Sequence, residues 1–202
     1  MDGSVFYWGC WWFWIYFTFI LNKQNPYRLR LSAFILTLII LANVHYTLFG
    51  FDFYAGGLFL LFLSYAFTYK EKIKTISYFF ICSFIVTTAY VAFHLFEIFD
   101  PVWIIFNKDW MMGILICYLA ILLQKGLKGR LLMVASGTMQ GEILYAYILR
   151  KFDFSYPIGT LTYLDAFILS AILLVAWGVL ENAGFYFENN FTFSQKGKQK
   201  SS

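Results

Sequence analysis

Charge is scarce in this chain: of its 202 residues only 13% are Asp, Glu, Lys or Arg, whereas 61% are hydrophobic and 23% aromatic. That leaves too little polar surface to coat a soluble globule of this size and points to a bilayer. Proline is rare as well, with three residues, and no Pro-, Ser- or Gly-rich linker divides the chain. The reading is one transmembrane helical domain over 1–190 with a short basic cytoplasmic tail at 191–202. Cysteine is sparse too: Cys10, Cys82 and Cys117 are odd in number, lie in separate apolar segments and form no CxxC or Cys/His cluster. They read as small buried hydrophobes rather than as disulfide or zinc partners. No HExxH, GxSxG, GxGxxG or GKS/T motif occurs, so no enzyme is expected. A retinal pigment is excluded because the last apolar segment holds no lysine for a Schiff base.

What is present is a series of long apolar runs. A transmembrane helix takes about 20 apolar residues, and seven segments qualify: 4–21, 31–49, 53–69, 76–97, 103–123, 131–149 and 160–187. The expected fold is an all-α polytopic helix bundle. The fifth segment is ambiguous. Asp100 as N-cap and Pro101 at the first helical position predict a helix start there. Either that helix lies along the interface before turning in, the favoured version, or Asn107, Lys108 and Asp109 enter the membrane with it.

The segments between the runs orient the bundle, because Lys and Arg accumulate on cytoplasmic loops. With the N-terminus outside, the inner segments carry Lys23, Arg28, Arg30, Lys70, Lys72, Lys74, Lys125, Lys128, Arg130, Lys196, Lys198 and Lys200. Only Lys108, Arg150 and Lys151 fall outside, together with Asp2, Asp52, Asp100, Asp109 and Asp153. Seven spans, N-terminus out and C-terminus in, is the expected topology. The stretch FYWGCWWFW at 6–14 follows an acid and precedes Lys23, Arg28 and Arg30, the reverse of a signal peptide, so it reads as a retained span. Its Trp8, Trp11 and Trp12, with Trp103 and Trp110, then fall at the outer headgroup level. They anchor that surface or form an aromatic platform for an apolar ligand or partner helix, and periodicity does not separate the two.

Ionisable residues within spans are costly, about 2.5–3.5 kcal/mol at the helix centre on insertion scales. Asp165 and Glu181 bracket a charge-free run in the last span and are expected to snorkel toward an interface. Glu142 is different. It lies on the order of 12–18 Å from either charged end of its segment, Arg130 or Arg150. Thr87, Tyr90, His94 and Glu97 share one helical face in the fourth span, and Thr138, Glu142 and Tyr145 share one in the sixth. Gly137 and Gly141 form GxxxG on an adjoining face, a spacing that lets helix backbones approach closely. Counting inward from the outer ends puts Asn43, Tyr90 and Glu142 at similar depth, with His45 and His94 about a turn above. A polar pocket in the outer half, between spans two, four and six, is the inference. Its members either bond one another and fix the packing, or make Glu142 a protonatable relay.

His45 and His94 are conceivable as axial haem ligands, but two lone histidines are a thin signal. His94 and Glu97 form an i, i+3 pair with no second pair to complete a di-metal site. No cofactor and no metal is therefore expected. The formal charge of +4 is dispersed over short loops rather than gathered on a soluble face, which argues against nucleic acid. It favours anionic lipid headgroups at the inner face, with other membrane proteins as further partners.

The stretches FYWGCWWFWIYFTF and NPYRLRLSAFIL, in a chain of this length and span layout, resemble the YphA-like family of small membrane proteins of Bacillus-type, spore-forming bacteria. The resemblance implies a plasma-membrane location and a cell-envelope or sporulation context. Two functions remain: a non-enzymatic membrane protein acting through partner proteins or lipids, or a small proton-linked carrier or channel using Glu142.

Overall fold

The computed structural model describes the backbone of residues 3–48, 50–100, 102 and 104–199, and side chains as far as residue 184. Asp2, Pro101, Trp103 and Lys200 lie outside the described residues, as do the side chains of Lys196 and Lys198.

Among the described residues seven α-helices form the bundle, one in each apolar segment: α1 (Ser4–Ile15), α2 (Arg28–Leu41), α3 (Ala55–Thr68), α4 (Ile73–Phe99), α5 (Lys108–Leu123), α6 (Leu127–Arg150) and α7 (Leu161–Gln199). Among the described residues, two stretches combine the length and hydropathy of a membrane crossing, α4 at a mean hydropathy of 1.9 and Leu161–Gly184 of α7 at 2.1. Of the others, α1, α2, α3 and α5 run 12 to 16 residues, and α6, at 24 residues, carries Lys128, Arg130, Glu142 and Arg150. Both α2 and α3 are 14 residues long, about 21 Å against a hydrocarbon core of about 30 Å.

The shortening of α2 has a local cause. The sequence reading carries a helix to residue 49, but α2 stops at Leu41, and β1 (His45–Leu48) pairs antiparallel with β2 (Phe51–Tyr54) around Gly50 at φ 77°. Hydropathy is blind to this, because HYTLFGFDFY is apolar enough for either structure and rich in the β-branched and aromatic residues that suit strands. The loop after α6 adds a third strip: Tyr54 N–H donates to the Ile158 carbonyl at 2.9 Å and Ile158 N–H to that of Asp52 at 2.8 Å. The bundle is thus helical except for a small β cap at the end where α6 finishes and α7 starts.

Two further boundaries move. At α5, Asn107 is the N-cap, its side chain accepting from Asp109 N–H at 2.9 Å, so the helix begins at Lys108. Asp100 is instead the C-cap of α4, and its carboxylate accepts from Val102 N–H at 3.2 Å. At the other end α7 continues to Gln199, through the point where a separate tail was expected.

Helix α1 ends in a π-helical turn, Tyr16–Ile20. There the Arg28 guanidinium donates to the carbonyls of Phe17 and Thr18, which the turn leaves without helical partners. The most extensive helix pairing is α4 with α6, followed by α5 with α7, α3 with α6 and α1 with α7.

Asp165 does not snorkel, whereas the Glu181 side chain stays 40% exposed. Asp165 is buried and accepts from Gly3 N–H at 2.7 Å and Phe6 N–H at 2.6 Å, capping the first turn of α1 from α7. Glu181 accepts from Arg130 Nη1 at 2.8 Å, and Arg130 Nε donates to the Gln124 carbonyl at 2.6 Å. Arg130, expected in a loop, is buried between the two helices because this acid and this carbonyl satisfy it there.

Candidate functional site

Helices α4 and α6 approach closely because α6 presents glycine where α4 presents side chains. A Cβ on Gly137 would come within 2.7 Å of Val86, and one on Gly141 within 2.6 Å of the Tyr90 ring. The seam is polar. Ser83 and Ser136 hydroxyls lie 2.8 Å apart, Thr87 donates to the Gly137 carbonyl at 2.8 Å, and Gln140 Nε2 donates to Tyr65 at 2.7 Å and Ser83 at 3.1 Å.

Toward the β-cap end of this seam Glu142 is fully buried. Its Oε1 accepts from the Tyr90 hydroxyl at 2.5 Å and the Tyr156 hydroxyl at 3.0 Å, and its Oε2 accepts from Gly159 N–H at 3.1 Å. Gly159 has φ 76°, a backbone state that other residues rarely take, and this turns its amide toward the carboxyl. Three donors from α4 and from the α6–α7 loop therefore converge on one α6 side chain. Burial first, then the charge of Glu142, push the Tyr156 hydroxyl well above its ordinary value, so it remains a neutral donor. Alongside, Tyr163 and Thr138 hydroxyls lie 3.1 Å apart.

A second chain of polar groups leads from Glu142 toward the surface. Tyr145 meets Tyr156 edge to face at 4.9 Å and stacks on His94 at 5.0 Å, and His94 in turn lies 4.7 Å from the Tyr90 ring. His94 Nδ1 is 3.3 Å from Glu97, whose other oxygen accepts from Lys108 at 3.0 Å. Side-chain exposure rises outward along this chain, from 12% at His94 to 26% at Glu97 and 39% at Lys108. Aromatic rings, not hydrogen bonds, bridge His94 to Glu142.

Of the residues singled out in the sequence, the structure brings Tyr90, His94, Glu97 and Glu142 together and sets Asn43 and His45 apart. Asn43 is exposed and donates to the Tyr7 hydroxyl at 2.7 Å. His45 sits exposed on β1, its ring 5.8 Å from Tyr54. Both depths rested on a helix through residue 49, and α2 packs on α1 and α3 rather than on α4 or α6. Trp8, Trp11, Trp12 and Trp110 are exposed, and Trp8 and Trp12 line an apolar groove of about 630 Å³ between α1 and α7. Sequence reasoning missed Tyr156, Gly159 and Tyr163. The turn signal YPIG at 156–159 was the available clue, since Pro and Gly there end any helix. Among the described residues no three His, Cys, Asp or Glu side chains gather as metal ligands, and the three cysteines are free and buried.

The model of the YphA-like integral membrane protein family matches residues 2–200. The chain belongs to this family. It is also similar to the Bacillus subtilis (strain 168) protein described as "Uncharacterized protein YphA", at 29% identity over 203 residues covering 100% of both chains. No solved structure matches. In a YphA-like membrane protein the buried Glu142 sits in a setting where an unpaired carboxylate is expensive, which accounts for the number of donors gathered on it. The same holds for Asp165 and Arg130.

Proposed function

We propose that this YphA-like protein is a multi-pass, non-enzymatic component of the plasma membrane, acting through lipids and partner proteins, and that Glu142 locks its outer half. Seven spans with the N-terminus out and the C-terminus in agree with the distribution of Lys and Arg. The observation that carries the reading is the saturation of Glu142: a fully buried carboxyl holding three protein donors is a built joint between α4, α6 and the α6–α7 loop. The short α2 and α3 fit a packed bundle that receives lipid against its sides. Inner cations such as Lys70, Lys72 and Lys74 would hold anionic headgroups, at about 1 kcal/mol each; Arg130 is withdrawn from that set by Glu181.

One observation favours a proton-linked carrier instead: the rising exposure from His94 through Glu97 to Lys108, which resembles the mouth of a vestibule leading to Glu142. The two readings separate by water access. Cys10, Cys82 and Cys117 are replaced, Glu142→Cys is introduced, and a membrane-impermeant thiol reagent is added outside intact cells, with a loop cysteine as positive control. Protection is the expected result. Labelling would mean an aqueous path reaches Glu142 and would put the carrier reading first.

A further inference from the structure

The β cap and the outer half of α6 enclose a second groove, of about 430 Å³, within the size range of small-ligand pockets. Phe51 and Phe53 of β2 form one wall, Ile143, Leu144 and Tyr147 of α6 the other, and Ile158 the floor. Its polar lining residue, Gln140, has its amide nitrogen committed to Tyr65 and Ser83. An apolar trough of this kind on the side of a bundle accepts a hydrocarbon chain.

Two cations stand at its mouth, and each rests on a wall of the groove. The Arg150 guanidinium lies 4.4 Å from the centre of the Phe51 ring, and the Lys151 ammonium lies 5.0 Å from that of Tyr147. Both residues are exposed, and among the described residues Lys151 has no carboxylate at ion-pair distance. The end of α6 does not oppose an anion strongly, because its last carbonyls are already occupied. Ile148 and Leu149 accept from Lys151 N–H and Phe152 N–H at 3.1 and 2.9 Å, and Arg150 accepts from Asp153 N–H at 3.1 Å. These are two of the three cations that the N-out topology leaves outside, which makes their place above an apolar groove harder to read as general inner-face attraction.

We infer that the groove between β2 and α6 seats one acyl chain of an anionic glycerophospholipid from the adjoining leaflet, with the headgroup phosphate on Arg150 and Lys151. Apolar volume and positive charge meet at one rim, as an amphiphile requires, and a soluble anion would use only the rim. The site needs a bilayer around the protein and nothing of the role given to Glu142.

The test is native mass spectrometry of the whole chain released from nanodiscs of phosphatidylcholine with a one-fifth share of phosphatidylglycerol. Wild type is expected to retain one phosphatidylglycerol in preference to phosphatidylcholine. Replacing both cations, as R150Q with K151Q, should weaken that retention about thirtyfold, since each cation near the surface contributes roughly a fivefold gain in affinity. Leu144→Trp, which fills the groove and keeps both cations, should abolish it. Lys151→Gln alone, on an exposed loop, gives about a fivefold loss and keeps the test decisive if the double variant fails to fold. Equal retention of the two lipids, or retention unchanged in the groove and cation variants, would overturn the assignment. So would displacement of the bound lipid by millimolar inorganic phosphate, which would mark a site for a free anion.

Discussion

Glu142 and Asp165 show how a buried acid behaves in this protein: each accepts backbone N–H groups from a different segment and so ties that segment down. Glu142 holds Gly159 of the α6–α7 loop, and Asp165 holds Gly3 and Phe6 of α1. Truncating such a group costs more than neutralising it. Glu142→Ala leaves two tyrosine hydroxyls and one amide without a partner, each worth about 1–3 kcal/mol when buried. Glu142→Gln keeps a carbonyl for Tyr90 and Tyr156 and loses chiefly the Gly159 bond, for about 1 kcal/mol. Thermal unfolding in detergent micelles should therefore rank wild type, Gln and Ala in falling order with the larger gap before Ala. Equal melting of the two variants would remove the joint assigned to Glu142. That Glu142 needs partners was legible in the sequence, because a carboxyl far from both ends of an apolar run is costly without them. Two of its three donors were not, since Tyr156 and Gly159 arrive from a loop whose path only packing decides.

Among elements, the α4–α6 pair illustrates what a local pattern carries. GxxxG at 137–141 is visible in the sequence, but not which helix it faces; Val86, Ser83 and Tyr90 supply that answer. At Gly137 an added Cβ meets the Val86 Cβ at 2.7 Å and the Ser83 carbonyl at 2.9 Å, neither of which a side-chain rotation clears. Gly137→Ala is expected to destabilise by about 1–3 kcal/mol. Gly184→Ala, where nothing lies within 4 Å on α7, should instead stabilise by up to about 1 kcal/mol through helix propensity. Guanidine or heat denaturation of the two variants side by side checks the contrast; a neutral Gly137→Ala would mean that the helices stand further apart. The β cap is the opposite case. Its strands are apolar and aromatic like the spans beside them, and what makes them strands is pairing with each other and with Ile158, more than a hundred residues away in the chain.

For the molecule as a whole, the membrane makes each buried charge a link between helices. Arg130 on α6 is 4% exposed at its side chain while its partner Glu181 on α7 is 40% exposed. Losing the acid strands a buried cation, whereas losing the cation leaves an acid that water still reaches. Glu181→Gln should therefore lower the melting temperature more than Arg130→Met, and the reverse order would mean that the guanidinium reaches solvent. Composition and apolar run length determined by themselves that this is a helical membrane protein, because a chain so poor in charge finds no other solvent. They also located all seven helices. Tertiary structure alone decided where α2 and α5 begin and end, that a β cap closes one end of the bundle, that Asn43 and His45 stand away from Glu142, that Asp165 caps α1 from within the bundle, and that buried Arg130 pairs with the part-exposed Glu181. The reason is common to all of these: hydropathy measures the transfer of one segment into lipid, whereas caps, strand pairs and ion pairs depend on groups brought together from distant parts of the chain.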